Sequence, residues 1–187
     1  TYGDWSSDVC SSDLTRTVPP REDMQYCYER GMNATCLANC DVLSGDAATA
    51  DKQMADFEAW FRDWEGFVKE KDWKDFTWYV HGFDESEMRP DPANSVDPHI
   101  RRVYGMIGEK FPWLKRETAN PYTAKNVGYF DIWTPLTQQL SGDLAPYRER
   151  QAAGDELWAY VCCGPGKPYA NFFIDFPGVD PRILGWQ

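Results

Sequence analysis

Phe76-Thr77-Trp78-Tyr79-Val80-His81-Gly82-Phe83 is a nearly unbroken apolar run that ends in two adjacent acids, Asp84 and Glu85. Eight residues rich in aromatic and β-branched side chains read as a strand. The scarcity of polar alternation reads as burial on both faces, the pattern of a parallel sheet with covered faces. Two carboxylates released together at the end of such a strand do not share one environment easily. Neighbouring charge and unequal burial push their pKa values apart, so one stays ionised while the other holds a proton. That division suits glycoside hydrolysis. An acid pair in this position is also, and more commonly, a solvated turn or a helix N-cap.

Upstream, Met54, Phe57, Phe61, Trp64, Phe67 and Val68 recur at helical spacing between Asp51 and Lys71, an amphipathic helix whose stripe belongs to the core. Residues 20–30 read as a helix that Gly31 can end in the left-handed conformation, and Met32 to Asn39 as a short strand. Downstream, Asp97 and Pro98 form an N-cap and first-turn pair, opening a helix through Lys110 that Pro112 closes. Leu114 to Ala119 and Val127 to Trp133 read as strands. Their link is short for a parallel crossover, which takes about a dozen residues, so a helix there is lost or reduced to a turn. Ser141-Gly142 and Pro146 break the next segment, leaving a helix over its second half that Gly154 stops. Glu156 to Cys163 is a strand, and Asp180-Pro181 opens a last helix.

Five strands interleaved with helices predict an α/β fold with a parallel sheet. A closed (β/α)8 barrel takes about 250 residues. The expectation is therefore an incomplete TIM (β/α)8 barrel over residues 15–187. The stretch Asp4 to Leu14 (DWSSDVCSSDL) resembles a translated sequencing adapter, and residues 1–14 are read as a non-native segment outside the domain.

A formal charge of −11 without any basic stripe argues against nucleic acid as a partner. No apolar run approaches the roughly 18 residues of a transmembrane helix. The aromatic share of 16 % fits a large core and fits rings stacking on sugar faces equally well. Cys27, Cys36 and Cys40 lack paired C-x2-C spacing and the two histidines are distant, so neither a metal site nor a cofactor is expected. Cys162 and Cys163 read as buried strand thiols rather than a vicinal disulfide.

Three blocks then converge. WYVHGFDE (residues 78–85), GYFDIWTP (128–135) and RQAAGDELWAYVCCGPGKPYANFFIDFPGVDPRILGWQ (150–187) resemble the catalytic domain of glycoside hydrolase family 123, and GMNATCLAN (31–39) is similar to the family's segment before its long helix. The third block is the most specific, through Gly154, Glu156, Trp158, Tyr160, Cys162-Cys163-Gly164-Pro165, Asn171-Phe172, Asp175 and Arg182-Ile183-Leu184.

The resemblance implies a TIM barrel preceded by a separate β-sandwich, with Met32–Asn39 as strand three, the acid pair at the carboxyl end of strand four and Glu156–Cys163 as strand seven. It thus implies a gene fragment spanning about strands three to seven. It also implies a glycan substrate, a secreted or periplasmic location, and β-N-acetylgalactosaminidase chemistry. In that chemistry the 2-acetamido group of the sugar supplies the nucleophile, an exception to the two-carboxylate scheme. Glu85 would be the general acid and then the base. Asp84 would orient the acetamido N–H and stabilise the charge developing beside it.

Consecutive residues of a regular strand face opposite sides, so the strand is expected to end or bulge at the pair. Trp133, at the carboxyl end of its strand, is a candidate wall for the acetamido methyl or the sugar ring. Tyr160 is a candidate donor to the acetamido oxygen. Trp158 shares its face by alternation and reads as core or as wall. Asn33 and Asn39 are candidates for lining the cleft or for turn amides. Two positions depart from the family pattern: Ser86 stands where many relatives carry proline, and His81 where an aromatic such as tyrosine is usual. By alternation His81 shares a face with Glu85 and is a candidate to tune it. The reading from another class is a non-catalytic glycan-binding relative on the same barrel.

Overall fold

The computed structural model describes residues 18–87 and 95–184. The expectations for residues 1–14 and for most of the loop from Ser86 to Val96 lie outside the described residues.

Helix α1 (Arg21–Tyr28) leads into strand β1 (Ala34–Asn39), with Gly31 between them at φ +95°. Helix α2 (Ala47–Lys71) starts four residues earlier than its apolar stripe suggests. Asp46 caps it by accepting from the backbone N–H groups of Ala48 and Thr49, both at 3.2 Å. Strand β2 (Thr77–His81), helix α3 (Asp97–Lys110) and strand β3 (Lys115–Thr118) follow. The short link after β3 holds only the 3₁₀ turn Ala124–Asn126, as its length predicts. Strand β4 (Ile132–Trp133), helices α4 (Thr137–Leu140) and α5 (Ala145–Ala152), strand β5 (Glu156–Leu157) and helix α6 (Asp180–Leu184) complete the order.

All four strand pairings are parallel, and the sheet order is β1-β2-β3-β4-β5. An order without reversal means that every crossover steps the same way. With right-handed crossovers this sets the helices on one face. The burial pattern agrees. Thr35, Leu37, Trp78 and Val80 are buried, while Ala34, Cys36, Tyr79 and His81 alternate with them half-buried.

The expectation of a β2 buried on both faces is thus corrected. One face packs on helices, with Trp64 of α2 lying 6.0 Å from Trp78 and Phe61 packed edge-on to Phe111. The other face carries Tyr79, His81, Lys115, Glu117 and Glu156, polar and aromatic groups paired with one another. On this face the apolar look of the run came from Tyr79, whose register partner Lys115 is charged.

Strands β4 and β5 are much shorter than expected. Residues 126–130 form a turn instead of strand, with Gly128 at φ +87° and Tyr129 N–H bonded to the Asn126 carbonyl at 3.0 Å. Past Leu157 the ladder becomes irregular because Pro135 has no N–H to donate. Tyr160 N–H still reaches the Pro135 carbonyl at 3.2 Å and Thr137 N–H the Tyr160 carbonyl at 3.2 Å, carrying the chain to Tyr160 beside β4. Cys162 and Cys163 lie beyond, reduced and exposed rather than buried, with their sulfurs 3.8 Å apart.

Gly82 fixes how β1 and β2 end. A Cβ there would stand 1.8 Å from the Cys40 carbonyl oxygen, so only glycine lets the chain leaving β1 cross β2 at this point. The Cys40 N–H in turn donates to the His81 carbonyl at 2.6 Å.

Candidate active site

The strand ends at His81, as the acid pair requires, and the backbone turns sharply. Phe83 and Glu85 both take left-handed φ values, +55° and +48°, with Asp84 between them. Non-glycine residues rarely hold this conformation unless their surroundings impose it. The imposing group is Asn120, which is fully buried just beyond β3. Its Nδ2 donates to the Phe83 carbonyl at 2.7 Å and to Thr118 Oγ1 at 2.6 Å, and its Oδ1 accepts from the Glu87 N–H at 2.8 Å. Thr118 Oγ1 passes its own hydrogen to the Gly82 carbonyl at 3.1 Å. Phe83 packs its ring edge-on to Tyr104, 5.1 Å between centroids.

This turn sends the two carboxylates to different partners. Glu85, half-buried, accepts the Tyr160 hydroxyl at 2.7 Å. Asp84 is 59 % exposed, with His81 Nε2 4.0 Å from its Oδ1. Burial raises the Asp84 carboxyl above its usual range. The His81 imidazole opposes that rise, and the nearby carboxylates of Glu85, Glu117 and Asp41 add to it. Burial and the bond to Glu85 also push the Tyr160 hydroxyl up, so it is a firm donor at neutral pH. His81 therefore faces Asp84 and Glu117, not Glu85 as alternation along a regular strand implies. The left-handed turn breaks the alternation.

Trp158 lies on the polar face, its ring edge-on to Tyr79 at 5.2 Å and its Nε1 donating to Glu156 Oε2 at 2.9 Å. Glu156 also pairs with Lys115. Burial, with Cys36 and Glu117 nearby, raises the Tyr79 hydroxyl to about 12.

Trp133 is placed elsewhere. It is 1 % exposed on the helix-covered face, packed on Tyr122 and Phe130, with Nε1 donating to Asp155 at 2.8 Å. A position at a strand's carboxyl end leaves open which face the side chain takes, and here parity sends it outward. Asn33 precedes β1 at the amino end of the sheet, where its carbonyl accepts the Thr77 N–H at 2.8 Å. The acid pair stands past the carboxyl end of β2, roughly 15–20 Å away by strand length. The structure thus brings Asp84, Glu85, Tyr160 and His81 together and leaves Trp133 and Asn33 apart. Asn39, paired in register with His81, lies at the acidic end.

Sequence reasoning missed Asn120, Thr118 and Glu117. The available signal was an acid and a threonine inside a short strand followed by Asn120-Pro121.

A cavity of about 1240 Å³ opens beside β5, with Trp158, Tyr160, Tyr169 and Phe172 in its wall; neither acid is among its lining residues. Among the described residues no group of three or more His, Cys, Asp or Glu is placed to hold a metal ion. No described helix is long and apolar enough to cross a membrane.

The parallel sheet sets paired acids and aromatic rings past the carboxyl ends of its strands, the end where α/β enzymes bind their ligands. The chain belongs to the family of the glycoside hydrolase 123 catalytic domain, whose model matches residues 36–187. A comparison with curated proteins gives no match. The domain is accordingly a glycoside hydrolase catalytic domain, and its substrates are glycans.

Proposed function

We propose that this domain hydrolyses terminal β-linked N-acetylgalactosamine with retention, using the sugar's own acetamido oxygen as nucleophile, on a sheet that forms part of a (β/α)8 barrel. The sequential parallel order supports the barrel reading, because a doubly wound sheet reverses its strand order once. The observation that carries the mechanism is the divergence of the two adjacent acids. Glu85 reaches Tyr160, and Asp84 reaches His81.

Glu85 protonates the leaving oxygen and then takes a proton from the attacking water. Tyr160 holds the Glu85 carboxyl group through Oε1, which leaves Oε2 to carry the proton that goes to the leaving oxygen, and its hydroxyl can turn to the acetamido oxygen once substrate is bound. Asp84 accepts from the acetamido N–H, which aims the carbonyl oxygen at the anomeric carbon, and its charge stabilises the oxazolinium ion that forms. Trp158 offers a ring to the sugar beside Tyr160.

The test compares aryl N-acetyl-β-galactosaminide, aryl N-acetyl-β-glucosaminide and plain aryl β-galactoside, with wild type and Glu85→Gln. Turnover of acetamido sugars alone, lost in the variant, is expected. Turnover of the plain galactoside would exclude substrate assistance. Glycan binding without any turnover would assign the chain to the binding relatives instead.

A further inference from the structure

His81 and Glu117 are cross-strand partners in the β2–β3 register and project from the same, polar face of the sheet. The His81 Nδ1 lies 2.5 Å from Glu117 Oε2. A carboxylate only accepts, so Nδ1 carries the hydrogen. The opposite ring nitrogen, Nε2, is then the one presented to Asp84 at 4.0 Å. Three groups from β2, β3 and the turn after β2 therefore stand in line: carboxylate, imidazole, carboxylate.

We propose that Glu117 and His81 are positioning residues for the hydrolytic reaction: Glu117 orients the imidazole and His81 holds Asp84 as an anion facing the acetamido group. The inference rests on the role given to Asp84 above.

Glu117 is 4 % exposed, and among the described residues His81 is its only cationic partner. A buried carboxylate without a counter-charge is costly, which draws a proton onto the imidazole. The groups facing His81 from the surrounding elements all favour the same outcome or are neutral. They are Glu117 from β3, Asp84 from the turn, Asp41 just past β1, and the Cys36 thiol of β1, which is hydrogen-bonded to the His81 backbone. Burial disfavours the imidazolium, but the Glu117 hydrogen bond and the acidic neighbours outweigh it, and the pKa of His81 is raised.

The same charge matters in the other direction. Of the groups acting on the Asp84 carboxyl, burial, Glu85, Glu117 and Asp41 all favour its neutral form, and His81 alone favours the anion. A neutral Asp84 neither accepts from an acetamido N–H as strongly nor offsets positive charge at the anomeric carbon.

Two measurements test the chain. The protein contains two histidines, His81 and His99, so ¹³C-labelled imidazoles give one reporter and one internal reference. Glu117→Gln and Asp84→Asn should each lower the His81 midpoint by about one pH unit, with His99 unmoved. Asp84 is exposed, so Asp84→Asn does not threaten the fold. A His81 midpoint that follows Glu117→Gln but ignores Asp84→Asn would overturn the proposal and leave His81 a structural partner of Glu117.

The second readout is the pH profile of kcat on the aryl N-acetyl-β-galactosaminide. His81→Gln and Glu117→Gln should move its acidic limb upward and lower kcat about tenfold with little change in KM, because Asp84 acts mainly in the transition state. An unshifted limb in both variants would also overturn the proposal. If wild type turns over no acetamido sugar, the catalytic reading fails, and the imidazole titration still decides whether Asp84 and His81 are coupled.

Discussion

The Tyr160 hydroxyl donates to Glu85 Oε1 at 2.7 Å, joining the turn after β2 to the segment after β5 across 75 positions of chain. Both groups stand past the carboxyl ends of their strands, and the bond spans three intervening ladders of the sheet. No local signal in either segment specifies the partner. The contact follows from the order in which the strands are laid down.

Tyr160→Phe should therefore lower kcat/KM on acetamido substrates by roughly 10- to 100-fold, the loss expected for a hydrogen bond to a charged group. Stability should change by less than about 0.5 kcal/mol, since the side chain is half-exposed. Steady-state kinetics beside a urea melt would check both. A large stability loss with intact kcat/KM would show that the hydroxyl serves the fold.

Asn120→Ala removes the side chain that holds Phe83, Thr118 and Glu87 in one cluster. Several buried polar groups lose their partner at once, at about 1–3 kcal/mol for each left unsatisfied. A destabilisation on the order of 3 kcal/mol is expected, together with loss of activity as the turn relaxes from its left-handed φ values. Chemical denaturation measures the first. The second should appear as a fall in kcat in conditions where the variant is still fully folded.

Trp133→Phe tests the placement of that ring in the core. The substitution removes one of two donors to Asp155 Oδ2, leaving Arg150 Nε at 2.7 Å, and opens a gap beside Tyr122 and Phe130. About 1–3 kcal/mol of stability should be lost, while KM for acetamido sugars stays within about twofold. A tenfold rise in KM with unchanged stability would instead put the ring against the sugar.

His81 makes stability depend on pH in a defined direction. Its folded pKa is raised, so its contribution is full below the unfolded value of about 6.5 and is lost as pH rises through the folded value. The stability difference between wild type and His81→Gln should accordingly be greatest in mildly acidic solution and shrink above neutrality. Denaturant midpoints at several pH values would show it; a difference that grows with pH would contradict the raised value.

Much of the sheet was legible because its causes are local. The stripe from Met54 to Val68 could only be a helix, and Pro98 and Pro112 bracket α3 at Asp97–Lys110. The acid pair was legible too, since it interrupts an apolar run. Harder to read was anything set by sheet parity. Whether Trp133 faces inward or outward depends on one residue of register, and the turn at 126–130 moved the start of β4 past the point where composition placed it. Asn120 was invisible for a different reason. An asparagine before a proline is ordinary in a loop, and only the approach of β2's end to β3's end gives it Phe83, Ser86, Glu87 and Thr118 to bind.

The left-handed turn between Gly82 and Glu87 has one more consequence, for anyone wishing to move this chemistry to another scaffold. Because the acid pair sits on a left-handed turn and not on a regular strand, copying Asp84 and Glu85 alone onto a foreign strand end would leave both acids on ordinary, alternating paths. The transferable unit is discontinuous: the hexapeptide with its crossing glycine, plus the Thr118–Asn120 brace from the neighbouring strand. Homology searches or grafts that score the acid pair without that brace will recover the letters of the site and not its geometry.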